Sequence, residues 1–426
     1  MAATQTHDAI DAVWRIESPR LIASLTRFVR DVGIAEDLAH DALVAALEQW
    51  PQSGVPRNPG AWLMAAAKHR AIDHFRRGAR VDRKHAALGY ELDARRESPD
   101  VDAALDDDVG DDLLRLVFTA CHPVLSTEGR VALTLRLLGG LTTPEIARAF
   151  LASESTIAQR IVRAKRTLAD KQVPFEVPRG PELAARLSSV LEVIYLIFNE
   201  GYTATAGSDW MRPALCEDAL RLGRIVAGLV PQEPEVHGLV ALMEIQASRS
   251  KARVTRTGEP ILLLDQNRGL WDQLLIRRGL AALARAEAAA GEARGPYTLQ
   301  AAIAACHARA RVPQDTDWVR IAALYAELAA RVPSPVVELN RAVAVGMAFG
   351  PAAGLAIADS LVREPALQGY HLLPSVRGDL LVKLGRHDEA RGEFERAAAL
   401  TGNARERDLS LERARACARA AANQAP

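Results

Sequence analysis

Apolar residues recur at helical spacing along most of the chain, and the pattern is clearest from about residue 183 to the C-terminus. Turns that contain proline or glycine interrupt this pattern, while the alternation typical of strands is nearly absent. The stretch 187–205 (LSSVLEVIYLIFNEGYTAT) is apolar on most sides, which predicts a buried helix that breaks at Gly201. The pattern therefore predicts an all-α protein.

A pair of short helices joined by a tight turn is predicted at 142–169. Thr142 and Glu145 have the spacing of a capping box, and Pro144 lies in the first helical turn. The first helix should end near Phe150, where Ser153 is placed to cap the second helix. The second helix has one apolar stripe, in steps of four, three and four residues: Ile157, Ile161, Ala164 and Leu168.

The opposite face of this second helix is polar. Gln159, Arg163 and Arg166 share that face, and Thr156 and Arg160 flank them. Hydroxyl, amide and guanidinium groups read base edges and hold phosphates, and a helix-turn-helix lays its second helix in the major groove of DNA. A solvated arginine-rich face fits the same residues, so both interpretations stay open for this stretch alone.

Two further helices are predicted in the first hundred residues, and the first of them spans 34–50 (IAEDLAHDALVAALEQW). Its carboxylates fall within about 40° on one face: Asp37, Asp41 and Glu48. Its apolar stripe lies elsewhere: Leu43, Leu47 and Trp50. Alone, such a carboxylate face is usually only a solvated surface.

The other helix spans 58–77 (NPGAWLMAAAKHRAIDHFRR) and follows a turn rich in proline and glycine. Two aromatic residues, Trp62 and Phe75, are interleaved with four cations: Lys68, Arg70, Arg76 and Arg77. Sites for single-stranded nucleic acid combine rings for the bases with cations for the phosphates. Both rings fit a protein core equally well.

Charge and proline content divide the chain into three parts. The stretch 68–84 holds seven Lys/Arg against two Asp, whereas 98–112 holds seven Asp and no basic residue. The acidic stretch has little to bury and indicates an extended linker. Three prolines in 171–182 forbid a continuous helix there. We therefore expect a basic helical domain, a second small helical domain and a large all-α C-terminal part.

Composition narrows the class of protein. The formal net charge is zero, so a surface that binds polyanions must be local. The N-terminus lacks the pattern of a signal peptide, and no uncharged apolar run reaches the roughly 18 residues of a membrane span. Four widely spaced cysteines fit neither a disulfide framework nor a metal site: Cys121, Cys216, Cys306 and Cys417. We expect a cytoplasmic protein with buried reduced thiols, no membrane contact, no metal and no cofactor.

Taken together, three stretches resemble the sigma-70 family of bacterial RNA polymerase initiation factors, specifically the extracytoplasmic-function (ECF) type. AEDLAHDALVAALEQW resembles region 2.2, which docks on core polymerase, and NPGAWLMAAAKHRAIDHFRR resembles regions 2.3 and 2.4, which open and read the minus-10 element. TTPEIARAFLASESTIAQRIVRAK resembles region 4.2, the reader of the minus-35 element. The resemblance covers about residues 8–170. It implies two small helical sigma domains, region 2 at 1–95 and region 4 at 113–172, joined by an acidic linker at 96–112.

The resemblance also implies roles for individual residues and two partners, core RNA polymerase and promoter DNA. The residues implied to bind core polymerase are Asp37, Leu38, Asp41 and Glu48. Those implied to bind the minus-10 element are Trp62, Lys68, Arg70, Arg76 and Arg77. Those implied to bind the minus-35 element are Ser155, Thr156, Gln159, Arg160, Arg163 and Arg166.

The chain is longer than an ordinary ECF factor, and residues 180–426 form the additional part. The stretch 379–400 (DLLVKLGRHDEARGEFERAAAL) resembles a helical pair of a tetratricopeptide (TPR) repeat, and 333–361 is a weaker copy. The repeat signal is clearest at 333–410. Because such stacks form concave surfaces that bind proteins or peptides, the resemblance implies a regulatory extension with a protein or peptide partner.

Two other functions would account for part of the chain. A helix-turn-helix activator with a TPR-like ligand-sensing domain explains 142–169 but gives no role to the acidic face at 34–50 or the basic helix at 58–77. A metabolic enzyme with a DNA-binding appendage would need a catalytic group in the extension. Asn199, Glu200, Tyr202 and Asp209 are close in sequence, but no nucleophile with a base and no metal-ligand spacing accompanies them. We therefore expect no enzymatic activity.

Overall fold

The computed structural model describes residues 2–86, 109–150, 152–203, 211–257, 259–291 and 294–422. The chain divides into two compact units, Met1–Ile194 and Tyr195–Pro426, called here the N-terminal unit and the C-terminal unit. Throughout the described ranges the regular structure is α-helix and short 3-10 helix, with one isolated β-bridge between Val254 and Pro260 and no strand. The prediction of an all-α protein is confirmed.

Three helices begin the N-terminal unit: α1 (Ala2–Val29), α2 (Val32–Ser53) and α3 (Pro59–Ala86). Each packs against the other two. The carboxylate of Asp31 caps α2 by accepting the backbone N–H of Ile34 over 2.9 Å, which satisfies one free donor at the helix start. Leu21, Leu25 and Trp50 are fully buried and form part of the core of this bundle.

The N-terminal unit continues with α4 (Val109–Ala120), α5 (Thr127–Leu137), α6 (Thr143–Ala149), α7 (Glu154–Asp170) and the first part of α8 (Pro181–Tyr202). Helix α4 packs against α1, and α5 packs against α7. Residues 109–112, placed in the acidic linker by composition, form the first turn of α4. The side chain of Asp112 is 1% exposed and lies 3.2 Å from Arg27 and 2.7 Å from Arg115. The rest of that linker, residues 96–108, lies outside the described residues.

Helix α8 ends at Tyr202, one residue after the predicted break at Gly201. A Cβ atom at Gly201 would lie 2.7 Å from the backbone N of Cys216 and 2.8 Å from Cβ of Leu215, closer than real Cβ contacts. The glycine therefore also permits close packing of the last turn of α8 against the next helix.

Among its described residues, the first half of the C-terminal unit consists of the last part of α8 and five further helices. They are α9 (Pro213–Leu229), α10 (Pro234–Ala247), α11 (Gln273–Ala290), α12 (Pro296–Arg309) and α13 (Trp318–Arg331). Helix α10 is central, since it packs against α9, α11 and α12 and buries residues on every side. The connection from α10 to α11 contains two 3-10 turns, Ser250–Ala252 and Arg268–Leu270.

The second half of the C-terminal unit is a succession of five helices: α14 (Pro335–Phe349), α15 (Pro351–Ser360), α16 (Leu372–Lys383), α17 (His387–Leu400) and α18 (Ala404–Ala422). Each helix packs against the next. The helical pair predicted at 379–400 is present as α16 and α17. Gly354 lets α15 approach α14 closely, because a Cβ there would lie 2.5 Å from the carbonyl oxygen of Ala342.

Candidate nucleic-acid interface

The helix-turn-helix predicted at 142–169 is present as α6 and α7, which pack against each other. The backbone N–H of Thr142 donates to Oε2 of Glu145 over 2.7 Å, and the N–H of Glu145 donates to Oγ1 of Thr142 over 3.4 Å. At the start of α7, Oγ of Ser153 accepts the N–H of Thr156 over 3.1 Å. The capping box and the serine cap are therefore both confirmed.

Helix α7 has one buried and one exposed side. The residues that it buries are the four of the predicted stripe: Ile157, Ile161, Ala164 and Leu168. Five of the six residues predicted to contact the minus-35 element are exposed: Ser155, Thr156, Gln159, Arg163 and Arg166. The sixth, Arg160, is half-buried. Arg166 forms an exposed ion pair with Asp170 at 3.4 Å, which contributes little stability. Helix α7 thus presents hydroxyl, amide and guanidinium groups to solvent on one face.

Helix α1 contacts the start of the helix-turn-helix through Arg15, whose Nη2 donates to Oε1 of Glu145 over 2.7 Å. Partial burial alone would raise the pKa of the Glu145 carboxyl. The hydrogen bonds from Thr142 and the charge of Arg15 outweigh burial and lower this pKa below its ordinary value. The carboxylate is therefore ionised at neutral pH, where it holds the cap of α6 and the contact with α1 together.

Glu36 of α2 lies in an ionic cluster that joins α2 to α5 and α7. Nζ of Lys165, on α7, is 2.5 Å from Oε2 of Glu36, and Nε of Arg136, on α5, donates to Oε1 over 2.6 Å. Nη2 of Arg136 also lies 2.8 Å from Nε2 of His40. The side chain of Glu36 is only 4% exposed, so its charge requires these two cations.

The cluster settles the protonation of Glu36. Burial would raise the pKa of its carboxyl, but the charges of Lys165 and Arg136, together with their hydrogen bonds, outweigh burial and lower the pKa below its ordinary value.

Sequence reasoning missed Glu36, although the sequence contains a signal for it. Glu36 precedes Leu43 by seven residues and Trp50 by fourteen, so it lies on the apolar stripe of its helix. A carboxylate on such a stripe predicts a buried ion pair.

The acidic face predicted on α2 is accessible. Asp37, Asp41 and Glu48 are exposed, whereas Leu38 is buried in the core with 6% of its surface accessible. The three carboxylates therefore form one solvent-facing row on α2, on a different side of the helix from Glu36.

The structure describes the side chains of some of the basic and aromatic residues predicted on α3. Trp62 is half-buried and packs edge-on against Trp50, with ring centroids 5.3 Å apart. Lys68 and Arg70 are half-buried. Arg76 and Arg77, with Phe75, lie in the helical backbone of α3, but their side chains lie outside the described residues.

The first part of α8 is fastened to the end of α4. Nη2 of Arg186 donates to the carbonyl oxygen of Phe118 over 3.0 Å, and Oγ of Ser189 donates to that of Cys121 over 2.7 Å. Arg130 of α5 donates from Nη1 to Oγ of Ser189 over 2.5 Å. These bonds satisfy carbonyl groups that the end of a helix leaves free. The start of the extension is thus built into the unit that holds the helix-turn-helix.

The described ranges lack two further kinds of site, a metal centre and a membrane span. They contain no group of three His, Cys, Asp or Glu residues placed to hold a metal ion. None of their helices has the length and apolar character needed to cross a bilayer. Cys121, Cys216 and Cys417 are buried and Cys306 is half-buried, all as free thiols. Burial raises the pKa of Cys121 to about 11 and that of Cys216 to about 12, so neither is a reactive thiolate at neutral pH.

Comparison with known families matches three parts of the chain. The family model for sigma-70 region 2 matches residues 14–81, and the model for sigma-70 region 4 matches residues 115–168. A family of unknown function, DUF6596, matches residues 186–287. The two sigma matches contain α2, α6 and all but the last two residues of α7.

Individual relatives agree with these matches. An uncharacterized protein of Rhizobium meliloti (strain 1021) is 43% identical over 389 residues, which cover 91% of each chain. The probable ECF RNA polymerase sigma factor SigI of Mycobacterium tuberculosis (strain ATCC 25618 / H37Rv) is 26% identical over 171 residues, 40% of this chain and 58% of the relative. The ECF RNA polymerase sigma factor SigK of Mycobacterium sp. (strain KMS) is 29% identical over 158 residues, 36% of this chain and 78% of the relative. No solved structure matches the chain.

Proposed function

We propose that this chain, which belongs to the sigma-70 family as an ECF-type member with a long C-terminal extension, binds core RNA polymerase and directs it to promoters. In this role the chain performs no covalent chemistry itself, because the polymerase forms the RNA. The observation that carries the proposal is the two-sided helix α7, whose stripe is buried while its polar face is exposed within the region 4 match.

The exposed face of α7 supports recognition of the minus-35 element. Arg163 and Gln159 present groups that pair with guanine and adenine edges in the major groove. Ser155 and Thr156 lie at the helix start, with hydroxyls in hydrogen-bond contact with Ser153, and we assign them to the phosphate backbone. Recognition of the minus-10 element is assigned to α3, through Trp62, Lys68, Arg70 and the arginines at 76 and 77.

Docking on core polymerase is assigned to the acidic row on α2. Asp37, Asp41 and Glu48 are exposed carboxylates on a helix that is well packed on its other sides. Exposed charges of one sign on a rigid helix steer association with a basic surface. Leu38, which the resemblance also assigns to this contact, is 6% exposed, and its proposed part is to stabilise α2 from the buried side of the helix.

We assign a regulatory role to the extension, with a protein or peptide partner for the helical repeats at α14 to α17. The support is the attachment of α8 to α4 and α5. Ser189 and Arg186 connect the start of the extension to the domain that carries α7. A movement of α8 would therefore reach that domain directly through these hydrogen bonds.

Run-off transcription with core polymerase tests the initiation role. The full chain should yield promoter-dependent transcripts with core enzyme, and Arg163→Ala should reduce them; no transcript above that of core enzyme alone would reject the proposal. For the extension, Ser189→Ala should change transcript yield, because it removes bonds to Cys121 and Arg130. Ser188→Ala, at the exposed neighbouring position, is the matched control. Equal yields from both serine variants would contradict the regulatory role of this attachment.

A further inference from the structure

The C-terminal unit contains a cavity of about 730 Å³ between α9, α10 and α11. All of its lining residues fall within the match to the family of unknown function at 186–287. Ala227, Val240 and Ala282 supply an apolar part of the wall. A volume of several hundred cubic ångströms, with an apolar wall and a few polar groups, is typical of sites for small organic ligands.

Two buried acceptors lie on the α10 side of the cavity. His237 and Glu244 are 6% and 3% exposed, and they share one face of α10 because they are seven residues apart. Nε2 of His237 lies 2.8 Å from the carbonyl oxygen of Pro231 and must donate to it, so Nδ1 of the neutral ring is an acceptor. Oε1 of Glu244 accepts from Nε of Arg224 over 2.9 Å.

Each of these two side chains has one acceptor atom that is unused. Neither Nδ1 of His237 nor Oε2 of Glu244 has a hydrogen-bond partner in the part of the chain that the structure describes. A buried acceptor without a donor is unfavourable, so a ligand whose donors reach these two atoms would gain from each contact.

The rim of the cavity carries three guanidinium groups, from Arg224 on α9 and from Arg278 and Arg285 on α11. Arg278 and Arg285 are exposed, two helical turns apart on one face, and no carboxylate of the described residues pairs with either. Three arginines and one glutamate leave a formal charge of +2 on the lining. Guanidinium groups bind carboxylate and phosphate through paired hydrogen bonds.

We propose that this cavity binds a small organic anion that also carries hydrogen-bond donors. Its carboxylate or phosphate lies against the arginine rim, and its amino or hydroxyl groups donate to His237 and Glu244. Binding itself does not depend on the transcriptional role of the chain. The further step, that the ligand is a signal read by the extension, does rest on that proposed function.

Gly228 offers a way to close the cavity without disturbing the fold. It lies in α9 and lines the cavity, and a Cβ added there would meet no heavy atom within 4 Å. Leucine also favours a helix more than glycine does, so Gly228→Leu should place a side chain in the cavity and keep the fold. Gly392, in α17 and equally open around its Cβ position, gives Gly392→Leu as the matched control.

The test is calorimetric titration of the full chain, without polymerase, with L-aspartate and glycerol 3-phosphate as donor-bearing probes. Acetate is the control, because it is an anion without hydrogen-bond donors. At millimolar concentration, at least one donor-bearing probe should saturate, and acetate should bind more weakly than that probe. Saturation by L-aspartate assigns a carboxylate ligand, and saturation by glycerol 3-phosphate assigns a phosphate ligand.

Variants then locate the binding. Gly228→Leu and Arg285→Ala should each lower the affinity for the probe by about tenfold or more, and tenfold is equivalent to about 1.4 kcal/mol. Gly392→Leu and Arg277→Ala, whose arginine lies on α11 outside the cavity lining, should leave the affinity unchanged. The proposal is overturned if neither donor-bearing probe binds, or if Gly228→Leu binds as tightly as the original chain. Because no transcription is measured, either result leaves the initiation role to be judged by its own assay.

Discussion

Replacing Glu36 by glutamine is the sharpest perturbation of the N-terminal unit. The change removes the charge that joins α2 to Lys165 of α7 and Arg136 of α5 while keeping the size of the side chain. Removing one partner from a fully buried ion pair costs about 3–5 kcal/mol. Here the two cations are 22% and 20% exposed and regain some hydration, and the amide oxygen of glutamine still accepts from Arg136. We therefore expect a loss of about 2–3 kcal/mol, below the value for full burial.

Hydrogen–deuterium exchange measured by mass spectrometry gives the free energy directly. Amides in the buried part of α2, around Ala39 and Ala42, exchange when the N-terminal unit opens. A loss of about 2–3 kcal/mol should raise their exchange rate by about 30- to 140-fold, while the amides of α17 in the C-terminal unit stay unchanged. Asp37→Asn, at the exposed neighbouring carboxylate, is the control and should have no such effect.

A double variant separates the ion pair from other effects of the substitution. If the Glu36–Lys165 contact carries the energy, Glu36→Gln with Lys165→Gln should cost less than the sum of the two single changes, because the second change removes a cation that has already lost its partner. Exchange in α2 that is the same in Glu36→Gln and in the original chain would refute the reasoning. Strict additivity of the two changes would assign the loss to Arg136 instead.

Three further outcomes are expected. Arg163→Ala should weaken binding of holoenzyme to minus-35 DNA by about 1–3 kcal/mol, with Val162→Ala, also exposed on α7, as control; an unchanged footprint removes Arg163 from the reading set. Gly354→Val should destabilise the C-terminal unit by about 1–3 kcal/mol through its clash with α14, whereas Gly392→Ala should not lower the thermal midpoint. The pKa of the Glu36 carboxyl is lowered in the fold, so this carboxylate stabilises the folded state fully above the unfolded-state pKa of about 4.3. The stabilisation is lost as pH falls through the folded value. Denaturation midpoints of Glu36→Gln, measured against pH, should therefore lack this part of the acid dependence.

The structure agrees best with sequence reasoning where local rules act alone. The capping box at Thr142 and Glu145, the cap at Ser153 and the buried stripe of α7 all follow from spacing within one helix. Helical periodicity likewise carries the prediction of an all-α fold, because α-helices form from neighbours in sequence.

Tertiary contacts account for what the sequence did not reveal. Gly201 marks the end of α8 within one residue, but its close packing against Cys216 and Leu215 of the next helix appears in no local pattern. Glu36 was missed because its partners, Arg136 and Lys165, are about a hundred or more residues away. The attachment of α8 to α4 was missed for the same reason, since Ser189 meets Cys121 across 68 residues of sequence.

The cavity of the C-terminal unit gave no sequence signal. His237 and Glu244 share a helix face, but Arg278 and Arg285 join them only through the packing of α10 against α11. Charged residues seven apart on a helix are common, and their convergence on one cavity appears only once three helices are assembled.

Equilibrium binding of the full chain to purified core RNA polymerase, without DNA, distinguishes a sigma factor from other DNA-binding proteins. We expect a stable complex that Asp37→Lys with Asp41→Lys weakens strongly, because reversal places cations on the acidic row of α2 without disturbing its buried side. A helix-turn-helix activator needs no such complex. A chain that remains free of core polymerase under these conditions, while still binding promoter DNA, would not be a sigma factor.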